Sequence, residues 1–246
     1  MVQIIKTGNF SFICEDELEV WRVKTLFTKE VGTIRWLNTE CQPNDIFYDI
    51  GANIGLYTIF AASKIGPTGL VYAFEPHIAN AHSLLLNINI NNLENVTIIT
   101  SALHDQNGFF KFNYLSKRSG SSGSQLGHTH GEDNTEFIPT FTELKYSSTI
   151  DKLIKDNIIK PPNLIKIDVD GNELKILHGM NELLNLSPPR SIQVEIHPNQ
   201  HNEIIKYMSK FGYNLIEKHF TSKGQKLIIN GANPEHLIYN AIFKSN

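Results

Sequence analysis

The chain has 246 residues, 41% of them hydrophobic and 19% charged, which is enough for one large α/β domain or two small ones around a buried core. Its formal net charge is -3 and it has no long Lys/Arg run, so it lacks the electrostatic footprint of a nucleic-acid binder. Cys14 and Cys41, without CxxC spacing, point to free thiols rather than a disulfide framework or a cysteine zinc site, and no apolar stretch reaches the length of a membrane span, so a cytoplasmic protein is expected.

Residues 1–44 precede the first strand of the main pattern and contain ELEVWRVKTLFTKEVGTIRWLN, read as at least one helix in an N-terminal extension that packs on the core. Residues 45–246 read as one domain. DIFYDI is a strand ending at Gly51, and IGLYTIFAASKIG is a helix closed by Gly66. LVYAFEP is a second strand. HIANAHSLLLNININN is a helix with Ile78, Ala81, Leu84, Leu85 and Ile88 on one face, and NVTIIT is a third strand. Residues 116–136, rich in Gly, Ser and charge, are too polar to pack and predict a mobile loop, either a disordered insertion or a lid over a site. FFKFNYL and EFIPTFTEL flank it as candidate strands. NLIKIDVDG then reads as a strand, NELKILHGMNELL as a helix, SIQVEIHP as a strand and NEIIKYMSKF as a helix stopped by Gly212. KLIIN and LIYNAIF, separated by GANPEH, predict a closing antiparallel hairpin. Strands alternating with helices imply an α/β fold with a mostly parallel sheet covered on both faces.

The turn YDIGANIGLYT, residues 48–58, sits where α/β folds hold nucleotides, and three ligands compete for it. A P-loop needs Lys and Ser or Thr after its last glycine, whereas Gly55 is followed by Leu56 and Tyr57. A dinucleotide fingerprint counted from Gly51 finds Asn53 and Leu56 where its other glycines belong. S-adenosylmethionine carries an ammonium and a sulfonium and no phosphate, so Asp49 before the turn attracts it, while the glycines allow close backbone approach. A helix-capping role for Asp49 is the structural alternative. Glu75 ends the second strand near the offset of about 20 residues at which Rossmann-like folds place an acid on ribose hydroxyls. That position favours a nucleoside of either kind, and Asp49 favours S-adenosylmethionine.

DIGANIGLYT, AFEP, NVTIITSAL, LIKIDVDGNELKILHG and VEIH follow one another in the order and spacing of the FkbM-type methyltransferases, which the chain resembles over about residues 30–243. The resemblance implies S-adenosylmethionine-dependent O-methylation on a Rossmann-like class I fold, a seven-stranded sheet whose last strand inserts antiparallel. It also implies a cofactor set: Asp49 with Gly51, Ala52, Asn53, Gly55 and Thr58 at the methionine part, Glu75 and Pro76 at the ribose, and Ser101 with Ala102 at the adenine edge. Asp168 would face the methionine part or the acceptor. Asp170 stands where the family usually has Glu, which leaves a direct role for that position open.

Methyl transfer to a hydroxyl is an in-line displacement that needs alignment and a base. Asp168, Asp170, Glu195 and His197 lie beyond the carboxyl ends of strands, where ligands sit in open α/β sheets. His197 is the first candidate base because its ordinary pKa is nearest neutrality, with Asp168 as the alternative and Glu195 beside them. Equally, His197 could serve only to cap its strand before Pro198. Lys166 and Lys175 flank this stretch on faces that could be solvated or structural. His128, His130, Glu132 and Asp133 are metal-ligand types on a loop with no rigid element, so no metal site is expected there, although Asp168 could bind a metal that orients a diol. The expected acceptor, on the resemblance alone, is a hydroxyl of a saccharide or another small metabolite, with S-adenosylhomocysteine as product. An NAD-linked oxidoreductase and a non-catalytic module with the same fold are the competing readings.

Overall fold

The computed structural model describes residues 2–131 and 135–245. An antiparallel hairpin that the sequence reading did not anticipate opens the chain, with β1 (Gln3–Thr7) paired to β2 (Phe10–Cys14). Helix α1 (Glu17–Thr25) begins with a reciprocal cap: Leu18 N–H donates to Asp16 at 2.8 Å and Asp16 N–H donates to Glu19 at 3.1 Å. Helix α2 (Val31–Glu40) follows, so the predicted N-terminal helical region holds two helices.

The alternating core comes next: β3 (Ile46–Ile50), α3 (Leu56–Ile65), β4 (Leu70–Phe74), α4 (Ile78–Ile90) and β5 (Val96–Ile99). A smaller sheet interrupts it, built from β6 (Ala102–Leu103), β7 (Gly108–Tyr114), β8 (Gln125–Leu126) and β9 (Phe141–Ser148) in the order β6-β9-β7-β8. Helix α5 (Ile150–Lys155) leads back to β10 (Leu164–Ile167). Where one helix is predicted over NELKILHGMNELL, there are two, α6 (Glu173–His178) and α7 (Asn181–Leu186). The break falls at Gly179, where a Cβ would stand 2.3 Å from the His104 carbonyl oxygen. The chain closes with β11 (Ser191–Ile196), α8 (His201–Lys210), β12 (Tyr213–His219), α9 (Ser222–Ile229) and β13 (Tyr239–Ser245).

The main sheet has seven strands in the order β12-β13-β11-β10-β3-β4-β5, antiparallel only where β13 inserts between β11 and β12. The closing hairpin is therefore present, but its first arm is YNLIEKH and not KLIIN. Thr221 caps α9 by accepting the Gly224 N–H, and that cap draws Leu227, Ile228 and Ile229 into a helix.

Alternation along the strands fills both faces. Tyr48 and Ile50 pack with Ile165, Ile167, Val194 and Leu177, while Phe47 and Leu164 pack on the opposite face with Trp36, Leu37, Ala61 and Ile65. Asp49 and Lys166 share the parity of Phe47 and Leu164 and are register partners on adjacent parallel strands. Both point towards the α2–α3 side. Among the described residues, no helix is long and apolar enough to cross a membrane.

Candidate active site

Successive strands run outward from β3 in one direction through β4 and β5, and from β10 in the other through β11. A crevice opens where the order reverses, beyond the carboxyl ends of the strands. Here it is a cleft of about 340 Å³ reached by Ile50, Phe74, Asp168 and Glu195 from the main sheet and by Phe112 and Leu126 from the small one. The N-terminal helices complete its wall with Arg22, Lys29 and Glu30.

Lys166 is 1% exposed and places its ammonium 3.0 Å from Asp168 Oδ2 and 3.5 Å from Asp49 Oδ1. Burial works against that charge, yet Asp168, Asp49 and Glu30 together hold the ammonium above its ordinary pKa. Tyr57 lies under it, with the ring centroid 5.2 Å from Nζ and the hydroxyl donating to Glu30 at 3.0 Å. Burial raises the Asp168 carboxyl, but Lys166, Lys29 and Arg22 outweigh it and hold the group below its usual value.

The structure puts Asp49 in a different place from the one its motif implies. Asp49 is fully buried and does not line the cleft, because its strand parity turns it towards α3, where Thr58 Oγ1 donates to it at 2.6 Å. Thr58, fully buried, is likewise part of this support and not of the wall. Of the two acids that share Lys166, Asp168 is the one that faces the cleft. The glycines are required by packing: a Cβ on Gly51 (φ +80°) would lie 1.8 Å from the Asp168 carbonyl oxygen, and one on Gly55 (φ +91°) 2.4 Å from Leu84. Gly51 borders the cleft, whereas Gly55 sits behind it at the start of α3.

The remaining predicted positions, Ala52, Asn53, Glu75, Pro76, Ser101 and Ala102, all line the cleft. Glu75 accepts the Asn53 N–H at 2.6 Å and the His77 N–H at 2.8 Å, and burial pushes its pKa up to about 7 against these bonds.

The segment expected to be too polar to pack is packed over its first half. The Ser121 carbonyl accepts from the side-chain amides of Asn53 and Asn80, both at 3.0 Å, and the Gly120 N–H donates to Asn80 Oδ1 at 2.8 Å. Asp170, in the left-handed region at φ 60°, accepts the Gly123 N–H at 2.6 Å, and its carbonyl accepts from Gln125 at 2.7 Å. Backbone groups of a Gly/Ser strap thus find side-chain partners, which allows burial without apolar residues. Ser121, Ser122 and Ser124 of this strap face the cleft.

Glu195 lines the cleft, and His197 stands behind it, 2% exposed, with Nε2 3.5 Å from Glu195 Oε2. Burial, then the charge of Asp168, pushes the Glu195 carboxyl up to about 8. His197 opens instead on a second, polar cavity of about 250 Å³ shared with His128, His130, Asp170, Asn199 and Gln200. Glu132 and Asp133 of the same polar cluster lie outside the described residues. Two donor sets of metal-ligand type converge on Glu195, one with Asp168 and Asp170 and one with Glu173 and His197, each with ligand atoms within 4.8 Å of one another. In the first set Lys166 already holds Asp168.

Arg22, Lys29 and Tyr57 escaped the sequence reading, since a cation or an aromatic on an amphipathic helix carries no sign of which cavity it borders. Lys166 did carry a signal: a lysine within the apolar run LIKI of a central strand needs a buried partner, and the parity of Asp49 on the neighbouring strand supplies one. Taken together, the acids near Asp168, the carboxyl of Glu75 and the apolar wall of Leu103, Phe112 and Leu126 fit a nucleoside with a cationic end. Arg22 and Lys29 border the same cleft and add cations to this set.

Comparison with known proteins agrees with this geometry. The pattern of the methyltransferase FkbM domain matches residues 49–215. The hexuronic acid methyltransferase AglP of Haloferax volcanii is 27% identical over 186 residues, which cover 76% of this chain and 70% of AglP. Among solved structures, an O-methyltransferase of Thermotoga maritima described as SAM-dependent superposes with a TM-score of 0.51 at 12% identity, covering 99% of this chain and 77% of that one. TYW2 of M. jannaschii, solved in complex with AdoMet, gives 0.50 at 15% identity over 100% of this chain and 87% of its own. At such identities these two likenesses establish the class I methyltransferase fold alone.

Proposed function

The chain belongs to the FkbM methyltransferase family, and from that premise we propose that it moves a methyl group from S-adenosylmethionine to a hydroxyl of a saccharide or another small metabolite. The observation that carries the cofactor reading is the cleft at the strand-order reversal, walled by Asp168 and Glu75. The turn after β3 has Asn53 and Leu56 where a dinucleotide fingerprint has its other glycines, which weighs against the oxidoreductase reading.

When bound, S-adenosylmethionine supplies an electrophilic methyl carbon on a cationic sulfur. In this reading Asp168 takes the ammonium of the amino-acid end, Glu75 the ribose hydroxyls, and Ser101 with Ala102 the adenine edge. Glu195, on the cleft wall, accepts the acceptor's hydroxyl proton in its ionised form, and because its pKa is raised to about 8 that form is the minor one at neutral pH and grows as pH rises through 8. His197 supports Glu195 from behind across the 3.5 Å contact. This reassigns the leading base from His197 to Glu195, because His197 does not border the cleft. The saccharide acceptor is supported by the hexuronic acid named for the AglP relative. Residues 1–44 act as an extension that completes the cleft.

Calorimetric titration with S-adenosylhomocysteine and, separately, with NAD tests this reading. Binding of the first alone, weakened in Asp168→Asn, is expected. Binding of NAD alone would overturn it, and binding of neither would favour a non-catalytic module.

A further inference from the structure

The cleft wall contributed by the N-terminal helices differs in sign from the wall contributed by the sheet. Arg22 of α1 and Lys29, between α1 and α2, border the same cavity as Asp168 and lie close enough to depress its pKa. Lys29 is paired with Glu30 at 2.7 Å. Arg22 is placed differently: its Nε donates to the Gly120 carbonyl, and among the described residues no partner takes either of its Nη groups. A guanidinium has five N–H donors in a rigid fork that matches a carboxylate, so most of its binding capacity faces no protein group.

At this end of the cleft Asp49, Asp168 and Glu30 oppose Lys166, Lys29 and Arg22, three acids against three cations. These six groups balance one another and are split by source, with Asp168 just after β10 and Arg22 on α1. A lone cation or a lone anion would leave one half unmatched. An α-amino acid end, with an ammonium and a carboxylate on one carbon, matches both.

We propose that Arg22, assisted by Lys29, binds the α-carboxylate of the cofactor's methionine part while Asp168 binds its α-ammonium, so that α1 helps to recognise the amino-acid end. This rests on the cofactor reading above. It gives the N-terminal extension a chemical role, and it explains the tie between Arg22 and Gly120: the strap that covers the cleft is held by the same side chain that holds the ligand.

The test compares S-adenosylhomocysteine with 5′-methylthioadenosine, which keeps the nucleoside and thioether but lacks the amino-acid end, by calorimetry on the full chain. Arg22→Leu is expected to weaken S-adenosylhomocysteine by about tenfold or more, as for loss of a hydrogen bond to a charged group, and to leave 5′-methylthioadenosine unchanged. Arg22→Lys should recover part of the loss, and Lys29→Met should show a smaller loss of the same selectivity. Equal weakening of both ligands would overturn the proposal, because it would mean that Arg22 acts only by holding the strap. Unchanged binding of both would overturn it too, with the cofactor reading intact. Failure of the wild type to bind either ligand would remove the cofactor reading and this proposal together.

Discussion

Lys166 Nζ lies 3.0 Å from Asp168 Oδ2, and the same ammonium lies 3.5 Å from Asp49 Oδ1, so one buried cation is shared between an acid on the cleft wall and an acid beneath it. Removing the cation leaves both carboxylates without their counter-charge. Lys166→Met is expected to destabilise the fold by roughly 3–5 kcal/mol, as measured when one partner of a buried pair is deleted. Urea unfolding followed by circular dichroism checks this; a change within experimental error would mean that the lysine is not the partner of these acids.

Thr58 and Asp49 separate support from recognition. Thr58→Val deletes the 2.6 Å bond to a fully buried carboxylate and should cost about 1–3 kcal/mol. S-adenosylhomocysteine affinity should stay near the wild-type value, whereas Asp168→Asn should lower affinity with a smaller effect on stability. Parallel calorimetry and unfolding curves decide between this division and a direct ligand contact by Asp49.

Glu195 makes stability depend on pH with a definite sign. Its ordinary value of 4.5 rises to about 8 in the folded protein, so between these values the folded state keeps a proton that the unfolded state releases. The contribution of Glu195 to stability is greatest below about 4.5, falls as pH rises through the window, and levels off above about 8. Glu75, raised to about 7, adds a decline that ends earlier. Glu195→Gln should remove the upper part of the slope, seen as denaturation midpoints that no longer fall between neutral and mildly alkaline pH.

Gly51→Ala should destabilise by more than about 1 kcal/mol, because the added methyl meets the Asp168 carbonyl at 1.8 Å and the backbone is held at φ +80°. Thermal unfolding of the variant is the direct check. Tolerance of alanine there would show that the β3–α3 turn shifts freely against β10.

The strands and the order of the α/β core were legible because they depend on local signals: β-forming runs, glycine stops and helical spacing. Glu75 and Asp168 could be placed at the cleft for the same reason, since each directly follows such a run, whereas Glu195, expected beyond its strand, lies within β11 one residue before its end. Asp49 was located correctly in the chain and wrongly in space, since only strand parity and the facing lysine decide which way a central-strand side chain turns. KLIIN misled because a short apolar run fits a strand or the end of a helix equally well, and the Thr221 cap decides the matter from outside the run. The Ser121 strap was unreadable, as its burial depends on amides of Asn53 and Asn80 distant in sequence. Arg22 joined the cleft only through the docking of α1.

The insertion of β13 between β11 and β12 separates the order of synthesis from the order of assembly. During translation β12 emerges before the strand that must sit beside it, and among the described residues β13 is its one neighbour in the main sheet. Until β13 slots in, β11 also presents an unpaired edge to the surrounding solution. The nascent chain therefore passes through an interval with two open β edges, the stage at which sequestration by a chaperone would most favour a productive fold over association with another copy.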